Sequence, residues 1–376
     1  MNTSKTHRRA VTRRTALTWL AGSFAGLASS AWAQQKGAED APYATLKGEH
    51  FHELAPHQTG MWQMQSPARR GPAGRWERRA ALPLPRSEMA WATAMNDRMH
   101  VIGGYGEGAV SRAYHHVYDP RADRWSALAP LPRGANHVAV VADGNSLYAL
   151  GGFINQNRTP DDNAFVYDGR EDRWRAIARL SRERGGASAV VLAGKVHLIG
   201  GAALPTDERA SVGWHEVYDA AADRWEMRKA LPAGRDHAGA VTFDGRIHVI
   251  GGRFNTFEYN TALHHVYHPD RDTWSTAAPI PTARSGHGLV VYRNRFFAMG
   301  GEQRDFDLKW KQIDKVFGQL ESYDPRIDQW QSHAPMMTPR HGLGAAVLGD
   351  WIHVAGGGPV VGGSTQSSIH EAFTLG

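Results

Sequence analysis

Six arginines recur along this chain at 86, 133, 184, 235, 284 and 340, each shortly ahead of a brief apolar run. Histidine accompanies four of them as His137, His237, His287 and His341. A guanidinium presents a rigid fork of donors that fits carboxylate, sulfate or phosphate oxygens. If the six segments converge, Arg86, Arg133, Arg184, Arg235, Arg284 and Arg340, with His137 and His341, would surround an anionic ligand. His237, His287 and Glu302 are then the groups placed to move protons. No Ser-His-Asp spacing and no phosphate loop occurs, so the catalytic residues, if there are any, stay unassigned.

Convergence needs a scaffold, and the sequence supplies one as a repeat. Gly-Gly doublets stand at 103–104, 151–152, 200–201, 251–252, 300–301 and 356–357. Aromatic residues follow at Tyr118, Tyr167, Tyr218, Tyr267, Tyr323 and Phe373, and tryptophans stand at 76, 125, 174, 225, 274 and 330. Each Tyr-to-Trp pair is seven apart, and each Trp precedes the next doublet by 26 residues, or 27 for Trp76. Each unit holds four short apolar or alternating runs divided by turn chemistry, which reads as four strands, a to d. One such meander has two raw edges, so units must stack. Trp76 belongs to a strand d with no doublet before it, and Phe373 ends a strand c with no Trp after it. The two fragments complete each other. The spacing therefore predicts an all-β, six-bladed propeller over residues 75–376, its last blade built from three C-terminal strands and one N-terminal strand, Arg75–Ala80.

Doublet, Tyr and Trp together resemble the kelch family, over roughly residues 76–376. That resemblance implies a rigid platform for a ligand or partner, with an Arg at the link between blades that can instead bond neighbouring carbonyls or pair with a carboxylate. Some relatives of this fold are enzymes. A copper radical oxidase of the galactose oxidase type needs a Tyr–Cys cross-link, and this chain has no cysteine. A sugar-acid mutarotase resembling N-acetylneuraminate epimerase would need an acid, a base and a carboxylate clamp. The arginines offer the clamp, and His237, His287 or Glu302 the proton transfers. A non-enzymatic module binding an anionic small molecule, a glycan or an envelope protein is the first expectation, and the mutarotase the alternative. No cofactor or metal is expected.

In an up-and-down meander the b–c loop and the d–a link emerge on one face. That face also carries the variable lengths, with 14 residues from doublet to Tyr in the first unit and 22 in the fifth. Loops of unequal length on a rigid frame are the usual place for recognition. The fifth, Gln303–Gly318, suits a lid or partner contact as well as a solvated insertion. The strand b histidines (His100, His197, His248, His353) read as packing residues. The strand c histidines (His115, His116, His215, His264, His265, His370) read as surface.

Residues 1–33 stand apart. Arg8, Arg9, Arg13 and Arg14 precede a small-residue apolar run ending in Ala31-Trp32-Ala33, which resembles a signal peptide, and Thr12 to Leu17 resembles a twin-arginine export motif. A periplasmic or secreted monomer without a stable membrane anchor is expected. The chain carries 43 basic and 37 acidic residues. Five of the basic ones lie in residues 1–33, leaving 38 against 37, so the balance gives no reason to expect nucleic acid. Residues 34–74 read as a linker or strap. Their His50, His52, His57, Met61 and Met64 are donor types that copper accepts, without the spacing of a known site.

Overall fold

The structure is a computed structural model that describes residues 46–47, 66–88, 92–155, 159–204, 210–255, 259–306 and 311–376. The export segment and the His/Met run at 50–64 lie outside the described residues.

Six sheets of four antiparallel strands follow one another along the chain. Strand a of each sheet neighbours strand a of both flanking sheets all the way round, so the sheets radiate from a common axis. Blade 2 is typical: Ala139–Asp143, Ser146–Leu150, Ala164–Asp168 and Arg173–Ala176 run from the axis outward. The sixth blade joins the chain ends. Arg75–Arg78 pairs antiparallel with His370–Thr374, Trp76 stands opposite Phe373, and their rings lie 5.2 Å apart. The strand stops two residues short of the expected Ala80, whose backbone serves the next blade instead. Ala68–Arg70 adds a parallel fifth strand to blade 5, and Leu46–Lys47 pairs with Ala210–Ser211.

Both glycines of each doublet sit at positive φ, from 59° at Gly151 to 111° at Gly301. The second donates its N–H to the next blade, as Gly152 to Arg184 O at 2.9 Å and Gly301 to Arg340 O at 2.8 Å. A Cβ on Gly200 would lie 2.5 Å from the carbonyl oxygen of Arg235. Conformation and close approach both demand glycine there.

The aromatic pair seals the seams. Trp125 Nε1 donates to Ala80 O, and Tyr118 donates to Asp123, whose Oδ1 also accepts from Ala80 N. The arrangement repeats with Tyr167, Asp172 and Trp174 gripping Ala129. Strand c histidines fill the same seams, which overturns their expected exposure. His115, His116, His215, His264, His265 and His370 are all buried. In four blades a strand b histidine donates to a strand c histidine: His100 to His115, His197 to His215, His248 to His264 and His353 to His370. The strand c ring spends its Nδ1–H on a backbone carbonyl, as His115 does on Ala129 O. Its Nε2 must therefore accept. A polar pair satisfied in this way can be buried without large cost.

Candidate functional site at the axial mouth

Each link between blades makes the same three-residue turn. Its first residue is Arg86, Ala135, Arg184, Arg235, Arg284 or Arg340, marked by the carbonyl that accepts from the preceding doublet. The second residue bridges the residue after its own blade's doublet: Ser87 with Tyr105, Asn136 with Phe153, Gly185 with Ala202, Asp236 with Arg253, Ser285 with Glu302 and His341 with Gly358. These bridges put links and b–c loops on one face, as expected. The third residue is left-handed in every blade: Glu88, His137, Gly186, His237, Gly286 and Gly342. Their backbones bond in series around the axis, His137 N–H to Glu88 O, Gly186 to His137, His237 to Gly186, Gly286 to His237 and Gly342 to Gly286, at 2.8–3.1 Å.

The arginines do not face this opening. Arg86, Arg184, Arg235, Arg284 and Arg340 are fully buried within their sheets. Arg340 donates to Gly356 O, Val354 O and Glu371. Arg284 pairs with Glu321 and Arg184 with Glu216, both at 2.7 Å. Arg86 and Arg235 meet His116 and His265 instead, and burial lowers each guanidinium to about 9. Strand b carbonyls left open by the b–c loop need donors, and the guanidinium supplies them. The expected girdle is therefore an internal staple. Arg133 is out of register with the rest, two residues before Ala135, and lies part-exposed against Asp161. Where Ala135 replaces the arginine, Phe165 takes the place of the carboxylate.

The second and third link residues, with those after the doublets, build the site. Glu88 Oε2 lies 3.1 Å from His137 Nε2, and Glu88 Oε1 lies 3.3 Å from His341 Nδ1. His341 Nδ1 is also 3.4 Å from Glu302 Oε2. Arg253 ties three groups together: its Nε donates to Asp236 at 3.0 Å, one terminal nitrogen to Glu302 at 2.9 Å and the other to His237 Nε2 at 3.1 Å. His237 Nδ1 donates to Asp236, and Ser211 closes on the other oxygen of that carboxylate at 2.5 Å. The His137 and His237 rings meet edge to face at 4.6 Å. All of these residues are buried.

Proton affinities in the cluster diverge. Burial opposes charge on Glu88, but His341 and His137 outweigh it and hold the carboxyl well below its usual range. Burial also disfavours the His341 cation, yet Glu302 and Glu88 raise it. His237 drops to about 3, from burial first and then the Arg253 charge. The arrangement offers a proton-holding imidazole between two carboxylates, beside a neutral imidazole and a fixed guanidinium.

Of the expected site residues, His137, His237, His341 and Glu302 come together here. His287 does not, because it lies one residue beyond the left-handed turn, where it packs against Gly251 and Gly239 between blades. Burial holds it near 3. Glu88, Asp236 and Arg253 were missed. The readable signal was the residue after each doublet and the two after each link arginine, positions that hold small or aromatic residues in some blades and charge in others.

Residues 136–357 match the KLHDC2/KLHL20/DRC7 Kelch-repeats domain. The chain belongs to the kelch-repeat family. It is 28% identical over 183 residues to the Kelch-like protein terF of Aspergillus terreus, a match covering 47% of this chain and 38% of that protein. The solved structure of YjhT superposes with a TM-score of 0.65 at 14% identity, over 77% of this chain and 95% of that one, which shows a common propeller fold. Kelch propellers are in general interaction modules.

Proposed function

We propose that this kelch propeller is a ligand-binding protein whose recognition site is the axial cluster of Glu88, His137, His237, Arg253, Glu302 and His341, framed by the b–c loops. The observation that carries this reading is the left-handed ring. Glycine serves at three of its six positions, yet Glu88, His137 and His237 hold φ of 48°, 51° and 56° at the others. Such residues give up about 1 kcal/mol each, and strain of this kind gathers at functional sites. A buried set of convergent polar groups suits a polar small molecule, a glycan terminus or a polar protein side chain. The first test is a thermal-shift screen with sugar acids, neutral sugars and peptides, since a ligand of the folded state raises Tm by mass action. A shift that Arg253→Gln abolishes supports the reading. A shift unchanged in Arg253→Gln and His237→Gln places the ligand elsewhere.

The diverging proton affinities favour a second reading, a sugar-acid mutarotase. His341 and Glu302 would exchange protons with the ring oxygen and anomeric hydroxyl, and Arg253 would clamp the carboxylate. The divergence that supports acid and base roles here is between His341, raised by its carboxylate neighbours, and His237, lowered by burial. Accelerated anomer exchange of N-acetylneuraminate, followed by NMR and lost in Glu302→Gln, is the deciding measurement. The reading also takes residues 1–33 as an export signal that delivers the protein to the periplasm. Replacing Arg13 and Arg14 with lysine should retain it in the cytoplasm on fractionation.

A further inference from the structure

Two buried polar atoms of the axial cluster make no hydrogen bond. His341 Nδ1 and Glu88 Oε2 are buried and make none, although carboxylate oxygens stand within ion-pairing distance of His341 Nδ1 and an imidazole nitrogen within reach of Glu88 Oε2. His341 donates its Nε2–H to Val360 O at 2.7 Å, so in the neutral ring Nδ1 carries the lone pair. That lone pair faces Glu88 Oε1 at 3.3 Å and Glu302 Oε2 at 3.4 Å. Three lone-pair donors turned to a common point repel one another unless something positive lies between them: a proton on Nδ1 in the empty site, or a cation that takes that proton's place.

We infer that Glu88, Glu302 and His341 form a binding site for a divalent cation at the propeller axis. Ligands about 2.0–2.1 Å from a tetrahedral ion stand about 3.3–3.4 Å from one another, which matches the spacing of His341 Nδ1 from each carboxylate, and the ligand atoms of all three residues lie within 4.8 Å of one another. The outer contacts are those of a metal site, in which the ligating imidazole gives its other N–H to a carbonyl and the carboxylates are held by further donors. Val360 O serves His341. Glu302 is fixed by Arg253 on one oxygen and by Gly362 N–H at 2.8 Å on the other. Charge agrees as well: Arg253 and Asp236 cancel, and the two glutamates leave the two negative charges that a divalent ion neutralises. The neighbouring trio of Glu88, His137 and His237 is also compact, but Arg253 already donates to His237 Nε2 there. One imidazole and two carboxylates suit Zn2+ or Mn2+, and three protein ligands leave a position open for a ligand oxygen.

The test uses the purified chain, stripped with chelator and titrated with Zn2+ alone and Mn2+ alone. Calorimetry and elemental analysis should give one ion per chain, with affinity at least tenfold weaker in Glu302→Gln and in His341→Gln. X-ray absorption of the zinc-loaded wild type should show one imidazole with the remaining ligands oxygen, a readout that stands even if a variant fails to fold. No retained ion, binding unchanged in both folded variants, or a shell of several imidazoles overturns the site. The last result would point to the His50, His52 and His57 run. The inference shares its place with the proposed ligand site but not its test, because ion binding is measured without an organic ligand and ligand binding without a metal.

Discussion

At the residue scale, the link turn assigns different work to adjacent side chains. The arginine points into its sheet and the residue two places on points to the axis. Arg340→Ala therefore strands Glu371, a fully buried carboxylate, and should cost about 3–5 kcal/mol of stability while leaving the axial cluster in place. Blade 2 shows the remedy. Ala135 with Phe165 fills the same space without charge, so adding Glu371→Phe to Arg340→Ala should recover part of the loss in urea denaturation. His137→Gly works on both sides at once: relief of φ strain returns up to about 1 kcal/mol, but Glu88 loses its imidazole neighbour, so stability in urea should fall by less than in Arg340→Ala while the thermal response to ligand is diminished.

At the element scale, strand count, doublets and seam aromatics were all legible because each answers to one local demand: alternation, positive φ or a gap between sheets. The joining of Trp76 to Phe373 was legible too, since neither fragment is a blade alone. Register within the link was not. Arg133 and Ala135 lie two apart, and only the carbonyl that Gly104 reaches, that of Ala135, tells which one holds the repeat position. The strand c histidines read as polar and hence exposed, because their partners lie far off in sequence, 15–18 residues away on strand b for four of them and 30 residues away on Arg86 and Arg235 for His116 and His265. Trp76→Ala should cost about 3 kcal/mol and removal of 75–80 more than that, as a fall in Tm well beyond what a surface deletion causes. A Tm within a degree or two of the parent would contradict the shared blade.

At the scale of the whole molecule, the histidine pairs set the pH response. Burial lowers His100, His197, His248 and His370 to about 4, and His115, His215 and His353 to about 3. The unfolded chain takes up these protons near pH 6.5 and the folded one does not. Stability is thus fully present above about pH 6.5 and declines as pH falls toward 4, by up to about 1.4 kcal/mol per pH unit for each proton taken up. Denaturant midpoints measured between pH 7.5 and 4.5 should fall steadily through that window. A flat profile would mean that the rings are protonated in place.

The seam between Arg75–Arg78 and His370–Thr374 also fixes an order of events. During synthesis the first partner leaves the ribosome nearly 300 residues before the second, a wait of about 15–60 s at typical elongation rates. Until His370–Thr374 has been synthesised, the incomplete sixth blade has an unpaired edge exposed, and a chain terminated before that strand keeps it for good. Such fragments carry an open strand edge, the kind of surface that templates aggregation.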